Sequence, residues 1–155
     1  MEWLLFILLT LISLAIAYQD FKTQLISVWL LLAFTAVNFT NYLLLHSVYQ
    51  FLENSIFCIC YFLLCYLVLH LYFYIKTKKI QKLIDLKIGW GDVILFISVG
   101  CCIEPIYFIY FFTISFTLSL LIHLFFLKHN KNIAMAGFVV LFYTLYNIAN
   151  YTKLI

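Results

Sequence analysis

Apolar residues fall in six runs separated by short polar breaks. The first covers Trp3 to Ala17 and extends to Asp20, with a polar turn from Gln19 to Gln24. The second runs from Ile26 to Leu45 and is interrupted by Asn38, Thr40 and Asn41, whose side chains are expected to bond to a neighbouring helix rather than face lipid. The third, roughly Ser55 to Ile75, is the longest and most aromatic. It ends in Lys76-Thr77-Lys78-Lys79, and the hydrophilic stretch through Lys87 is the one substantial loop. A fourth opens at Gly89-Trp90-Gly91-Asp92 and reaches about Cys102, where Glu104-Pro105 forces a stop and a turn. The fifth spans about Ile106 to Leu127, and after the polar residues 128–132 the sixth takes Ile133 to about Tyr151. A spanning helix uses about 20 residues, so these runs occupy nearly the whole chain. They predict one all-α domain over residues 1–155, a polytopic membrane bundle of six transmembrane helices.

Composition agrees with that pattern. With 67% hydrophobic and 10% charged residues, the chain is far from an ordinary soluble domain, whose charged share is about 25%. It reads as a multi-pass protein of the cell membrane, the inner or cytoplasmic one, in contact with lipid. Ala15-Ile16-Ala17 resembles a signal-peptidase site, but Glu2 stands where a secretory signal carries positive charge, so the first run is expected to stay as a helix. All nine basic residues are lysines, and a net charge of +3 is too small and too localised to indicate a nucleic-acid partner. It works better as an orientation signal. With both termini outside, Lys22, Lys76, Lys78, Lys79, Lys82, Lys87, Lys128 and Lys131 all fall on the cytoplasmic side, leaving only Lys153 outside.

This orientation brings two acids to one face. Asp20 ends the first helix on the cytoplasmic side and Asp92 begins the fourth on that same side. Ionisable residues bordering transmembrane segments are costly and usually mark function. Two neighbouring carboxylates share a proton, so that one activates water while the other, protonated, polarises a carbonyl. That is aspartyl protease chemistry, and it requires no metal and no cofactor. The chain offers no His-Glu-x-x-His and no Ser-His-Asp spacing for another hydrolytic route. The plainer alternative, that both acids are interfacial charges at helix ends, stays open at this point. Gly89 and Gly91 allow φ > 0 and a close approach of another backbone, as a site holding an extended peptide requires. Asp92 at a helix N-terminus and Asp20 at a C-terminus meet opposite ends of the helix dipole, which assigns Asp92 the role of ionised base and Asp20 that of protonated donor.

The flanking residues resemble a family. Asp20-Phe21-Lys22-Thr23-Gln24-Leu25-Ile26-Ser27-Val28-Trp29 resembles the first motif of type IV prepilin peptidases, and Gly89-Trp90-Gly91-Asp92-Val93-Ile94-Leu95 with Gly100 resembles the second. Ile133-Ala134-Met135-Ala136-Gly137-Phe138 is similar to the third, without its two prolines. The resemblance implies an aspartyl endopeptidase with Asp20 and Asp92 as catalytic residues and Gly89, Gly91 and Lys22 on the substrate side. It also implies a pilin-like precursor as substrate, cleaved at the cytoplasmic face, with no metal. Ser27 and Val28 replace a Pro-Asn, Ile94 stands where the family often has Lys, and Trp90 is bulkier than the usual small residue; these departures bear on substrate contacts more than on the acid pair. Longer members carry two Cys-x-x-Cys pairs and a second, N-methylating activity. Cys58, Cys60, Cys65, Cys101 and Cys102 form no such pair, so the chain resembles the short, protease-only form and no zinc site is expected.

Two other readings remain at the level of sequence. One is a catalytically inactive membrane scaffold related to the family. The other is a small proton-coupled transporter, for which acids through the bilayer depth would be required; Glu2, Glu53 and Glu104 lie instead at the opposite face. The sequence identifies neither the individual precursor nor the oligomeric state.

Overall fold

A computed structural model of the chain describes residues 2–23, 25–78, 89–126 and 135–153. These residues form six helices and no strand: α1 (Glu2–Thr23), α2 (Val28–Leu45), α3 (Val48–Thr77), α4 (Trp90–Gly100), α5 (Pro105–Phe126) and α6 (Met135–Lys153). The six apolar runs thus became six helices. Four of them, α1, α2, α3 and α5, are long and apolar enough to cross a membrane, and the chain is a multi-pass membrane protein. α4 and α6 are shorter apolar helices. The 11 residues of α4 rise about 16 Å, roughly half of a 30 Å hydrocarbon core.

The boundaries follow local chemistry. α5 starts at Pro105, because proline at the first helical position forgoes only an amide that has no helical partner there. α3 starts at Val48, seven residues earlier than the hydropathy places it. Ser47 caps it: its hydroxyl accepts from the Gln50 amide at 3.3 Å, and the Gln50 side chain accepts from the Ser47 amide at 3.1 Å. This capping box overrides the weak hydropathy of residues 48–54. At the other end, Lys78 closes α3 in the left-handed region at φ 52°. Of the expected cytoplasmic lysines, Lys79, Lys82, Lys87, Lys128 and Lys131 lie outside the described residues, as do Ile133 and Ala134 at the expected start of the last helix.

α1 packs on α6 and α2, α2 packs on α4, and α5 packs on α6, with α3 against α4 at the periphery. Ile16, Leu31, Phe34, Val99, Phe108 and Val140 are fully buried where these helices meet. α3, in contrast, turns Leu63, Leu64, Leu67, Val68 and Ile75 outward. Such a surface suits lipid, since exposed apolar area on this scale is rare on a soluble monomer.

Asn38 is the polar joint of the bundle. Its side chain is 1% exposed and engages two other helices. Nδ2 donates to the Ser98 carbonyl of α4 at 2.9 Å, and Oδ1 accepts from the Tyr143 hydroxyl of α6 at 2.7 Å. The Ser98 carbonyl needs this partner because α4 tightens at its end: Cys102 donates to Val99 rather than to Ser98. A carbonyl orphaned by the helix end is thus satisfied across the bundle, as the absence of water in lipid demands. Asn38→Leu would leave the Ser98 carbonyl buried without a partner, at about 1–3 kcal/mol, and take one partner from the Tyr143 hydroxyl. We expect a clear fall in the thermal midpoint of the protein in detergent; an unchanged midpoint would mean that the joint contributes nothing.

Candidate active site

Asp20 lies in the last full turn of α1 and is 5% exposed. Its Oδ2 accepts a 2.7 Å hydrogen bond from the Gly137 amide at the start of α6. That amide belongs to the first turn of α6, where helix N–H groups have no carbonyl four residues back, so Asp20 caps a helix other than its own. The contact exists because the two helices come close. A Cβ at Gly137 would stand 3.2 Å from Asp20 Oδ2 and 3.4 Å from the Ala17 carbonyl. Small residues at an interface are what allow membrane helices to approach in this way. Phe21 and Phe138 meet edge to face at 4.9 Å beside the bond and close it on one side. The turn into α2 is held as well, by Ser27 donating its amide to Gln19 Oε1 at 3.2 Å.

Asp92 stands in the first turn of α4, three residues past the Gly89 cap, and its carboxylate bonds back to the Gly89 backbone. This is the acidic half of a capping box. Unlike Asp20 it is exposed. The two carboxylates, carried by different helices, lie within Coulomb range of each other, so Asp20 acts electrostatically on Asp92. The two acids thus lie at the same end of the bundle, Asp20 buried and tethered and Asp92 exposed.

Three expectations change in detail. No described glycine has positive φ, and Gly89 sits at φ −73° and ψ 144°, ordinary extended backbone. The value of Gly89 lies in room: a Cβ there would come 3.3 Å from Asp92 Oδ2. At Gly91 a Cβ would meet only Leu31 Cδ1 at 3.4 Å, an ordinary contact. Lys22 is exposed and folds back along α1, its Nζ 3.4 Å from the Tyr18 hydroxyl and 5.6 Å from the ring centroid. Finally, the helix-end argument for unequal roles does not carry over, because Asp20 faces the N-terminus of α6 while it ends α1. Gly137 is the site residue that side-chain reasoning does not reach, since it acts through a backbone amide.

Residues 7–124 match the type IV leader peptidase family. The chain belongs to the type IV leader peptidase family. This is a family of aspartic peptidases, and the match contains both Asp20 and Asp92 but stops before α6. The role of Gly137 therefore rests on the structure rather than on the match. No curated protein and no solved structure matches the chain.

Gly137→Ala keeps the amide but places a methyl group against the Asp20 carboxylate. We expect about 1–3 kcal/mol of destabilisation from overpacking and a loss of about 10- to 100-fold in peptidase rate from the displaced carboxylate. Wild-type turnover in this variant would show that the Asp20 position is not critical.

Proposed function

We propose that this family member is an active membrane-embedded aspartyl endopeptidase that cleaves the short leader of pilin-like precursors at the cytoplasmic face of the inner membrane, in support of type IV pilus assembly or protein secretion. What supports the reading is that Asp20 and Asp92, carried by separate helices, lie within Coulomb range of each other at one end of the bundle. Two carboxylates so placed hold one proton between them. In the reaction, the ionised member takes a proton from water as the oxygen attacks the scissile carbonyl. The protonated member donates its hydrogen bond to the carbonyl oxygen, then passes the proton toward the departing amine. The exposed Asp92 is open to substrate and water, whereas Asp20 is held fixed by Gly137. Gly89, Gly91 and Lys22 border the approach and are the candidates for contact with the precursor.

The orientation that suits this reading has six helices crossing in alternation with both termini outside. Lys22, Lys76 and Lys78 then lie at the inner end of the bundle together with Asp20 and Asp92.

Asp20→Asn and Asp92→Asn should each lose about two orders of magnitude or more in the rate of precursor cleavage by the purified protein, the usual weight of one acid–base group, while the protein stays in the membrane. Cleavage near the wild-type rate in either variant would favour the inactive-scaffold reading. Orientation is checked separately: a reporter fused after Ile155 should react with impermeant reagents in intact cells, and a protected reporter would place the C-terminus inside and overturn the six-span arrangement.

A further inference from the structure

The end of the bundle away from the two acids carries a cavity that proteolysis does not use. α4 separates the two ends, with Asp92 in its first turn and Cys102 just past its last. A cavity of about 320 Å³ opens there between the C-terminal part of α2, the α4–α5 turn and the C-terminal half of α6. This volume is at the lower end of the range for small-ligand sites. Its wall is polar and aromatic, at odds with a surface meant only for lipid tails.

The chemistry of the wall narrows the occupant. Tyr42, Tyr107, Tyr143 and Tyr146 contribute four rings, Glu104 contributes a carboxylate, and no lysine is present. An anion would meet the like charge of Glu104, and the one basic ring on the wall, His46, is stacked on Tyr42 at 4.3 Å. An organic ammonium would be drawn both to the carboxylate and to the negative faces of the rings. Tyr42 and Tyr143 are buried, with their hydroxyls engaged by Asn54 and Asn38, so the ring faces open to a ligand are chiefly those of Tyr107 and Tyr146.

We propose that this cavity binds a primary organic ammonium of ethanolamine size, held by Glu104 and the rings of Tyr107 and Tyr146. Free ethanolamine and the headgroup of an aminophospholipid share that chemistry. Because the cavity touches α2, α4–α5 and α6, an occupant ties together the outer ends of helices whose inner ends hold the acid pair. Bound ligand therefore stabilises the bundle by mass action.

The test uses the full chain in nanodiscs of phosphatidylethanolamine or phosphatidylglycerol, and in a nitrogen-free detergent titrated with ethanolamine or with glycerol. Phosphatidylethanolamine is expected to raise the thermal midpoint above that in phosphatidylglycerol. Glu104→Gln should weaken amine binding by about tenfold or more, as loss of a charge-assisted contact does, while its precursor cleavage stays at the wild-type rate. Tyr107→Leu, which removes a ring but no charge, should weaken binding independently. A shift produced by free ethanolamine assigns the site to a soluble amine, and a shift that requires the diacyl form assigns it to lipid. The proposal is overturned if neither form binds, if glycerol or phosphatidylglycerol does as well, or if both variants keep full affinity. None of these outcomes bears on the acid pair at the other end.

Discussion

A helix end buried among packed helices has no water to turn to, and this bundle is built around two such ends. The Gly137 amide, in the opening turn of α6, finds its acceptor in the Asp20 carboxylate of α1. The Ser98 carbonyl, left over by the tightened end of α4, finds its donor in the Asn38 amide of α2. In lipid each unmet group costs several kcal/mol, so both side chains are held in place by backbone they do not belong to. One of these bonds fixes the Asp20 carboxylate, and the other fixes α4, which carries Asp92.

The short α4 is the other determinant. At 11 residues α4 is shorter than a helix of full spanning length, and its first turn carries Asp92 within Coulomb range of Asp20 near the end of α1. Packing fixes this placement. Val93, Leu95 and Val99 of α4 are buried, and Gly100 admits Cys58 and Phe108 where a side chain would collide with both. Phe108 then stacks into a cluster with Phe112 at 4.8 Å and Tyr61 at 5.3 Å, which anchors α3 and α5 around the end of α4.

Much of this was legible in the chain. A helix facing lipid must be apolar on most sides, so hydropathy alone located six helices, and the lone Pro105 marked a true start. The beginning of α3 escaped hydropathy because Gln50, Glu53 and Asn54 dilute the apolar signal, although the Ser-x-x-Gln cap was there to be read. Both acids were visible as carboxylates in an apolar setting. What fixes Asp20 was not, because a backbone donor leaves no side-chain signature; only the run of small residues around Gly137 hinted at close approach. Inference from each helix alone likewise set Asp20 at a negative helix end, whereas across the bundle it meets a positive one. Asn38 was recognised as a polar residue needing a neighbour, but its two partners depend on tertiary packing that no local pattern encodes.

The central claim is that the carboxylates of Asp20 and Asp92 face one another across the end of the bundle. Cysteine exchange at both positions, followed by a short bifunctional thiol reagent and peptide mapping of the linked product, tests it directly. The account predicts an efficient intramolecular link between positions 20 and 92 in the double variant, absent from each single variant. Failure of that link, alongside a ready link between cysteines placed at 20 and 137, would show that α1 and α6 pair as described while α4 holds Asp92 elsewhere, and would contradict the account.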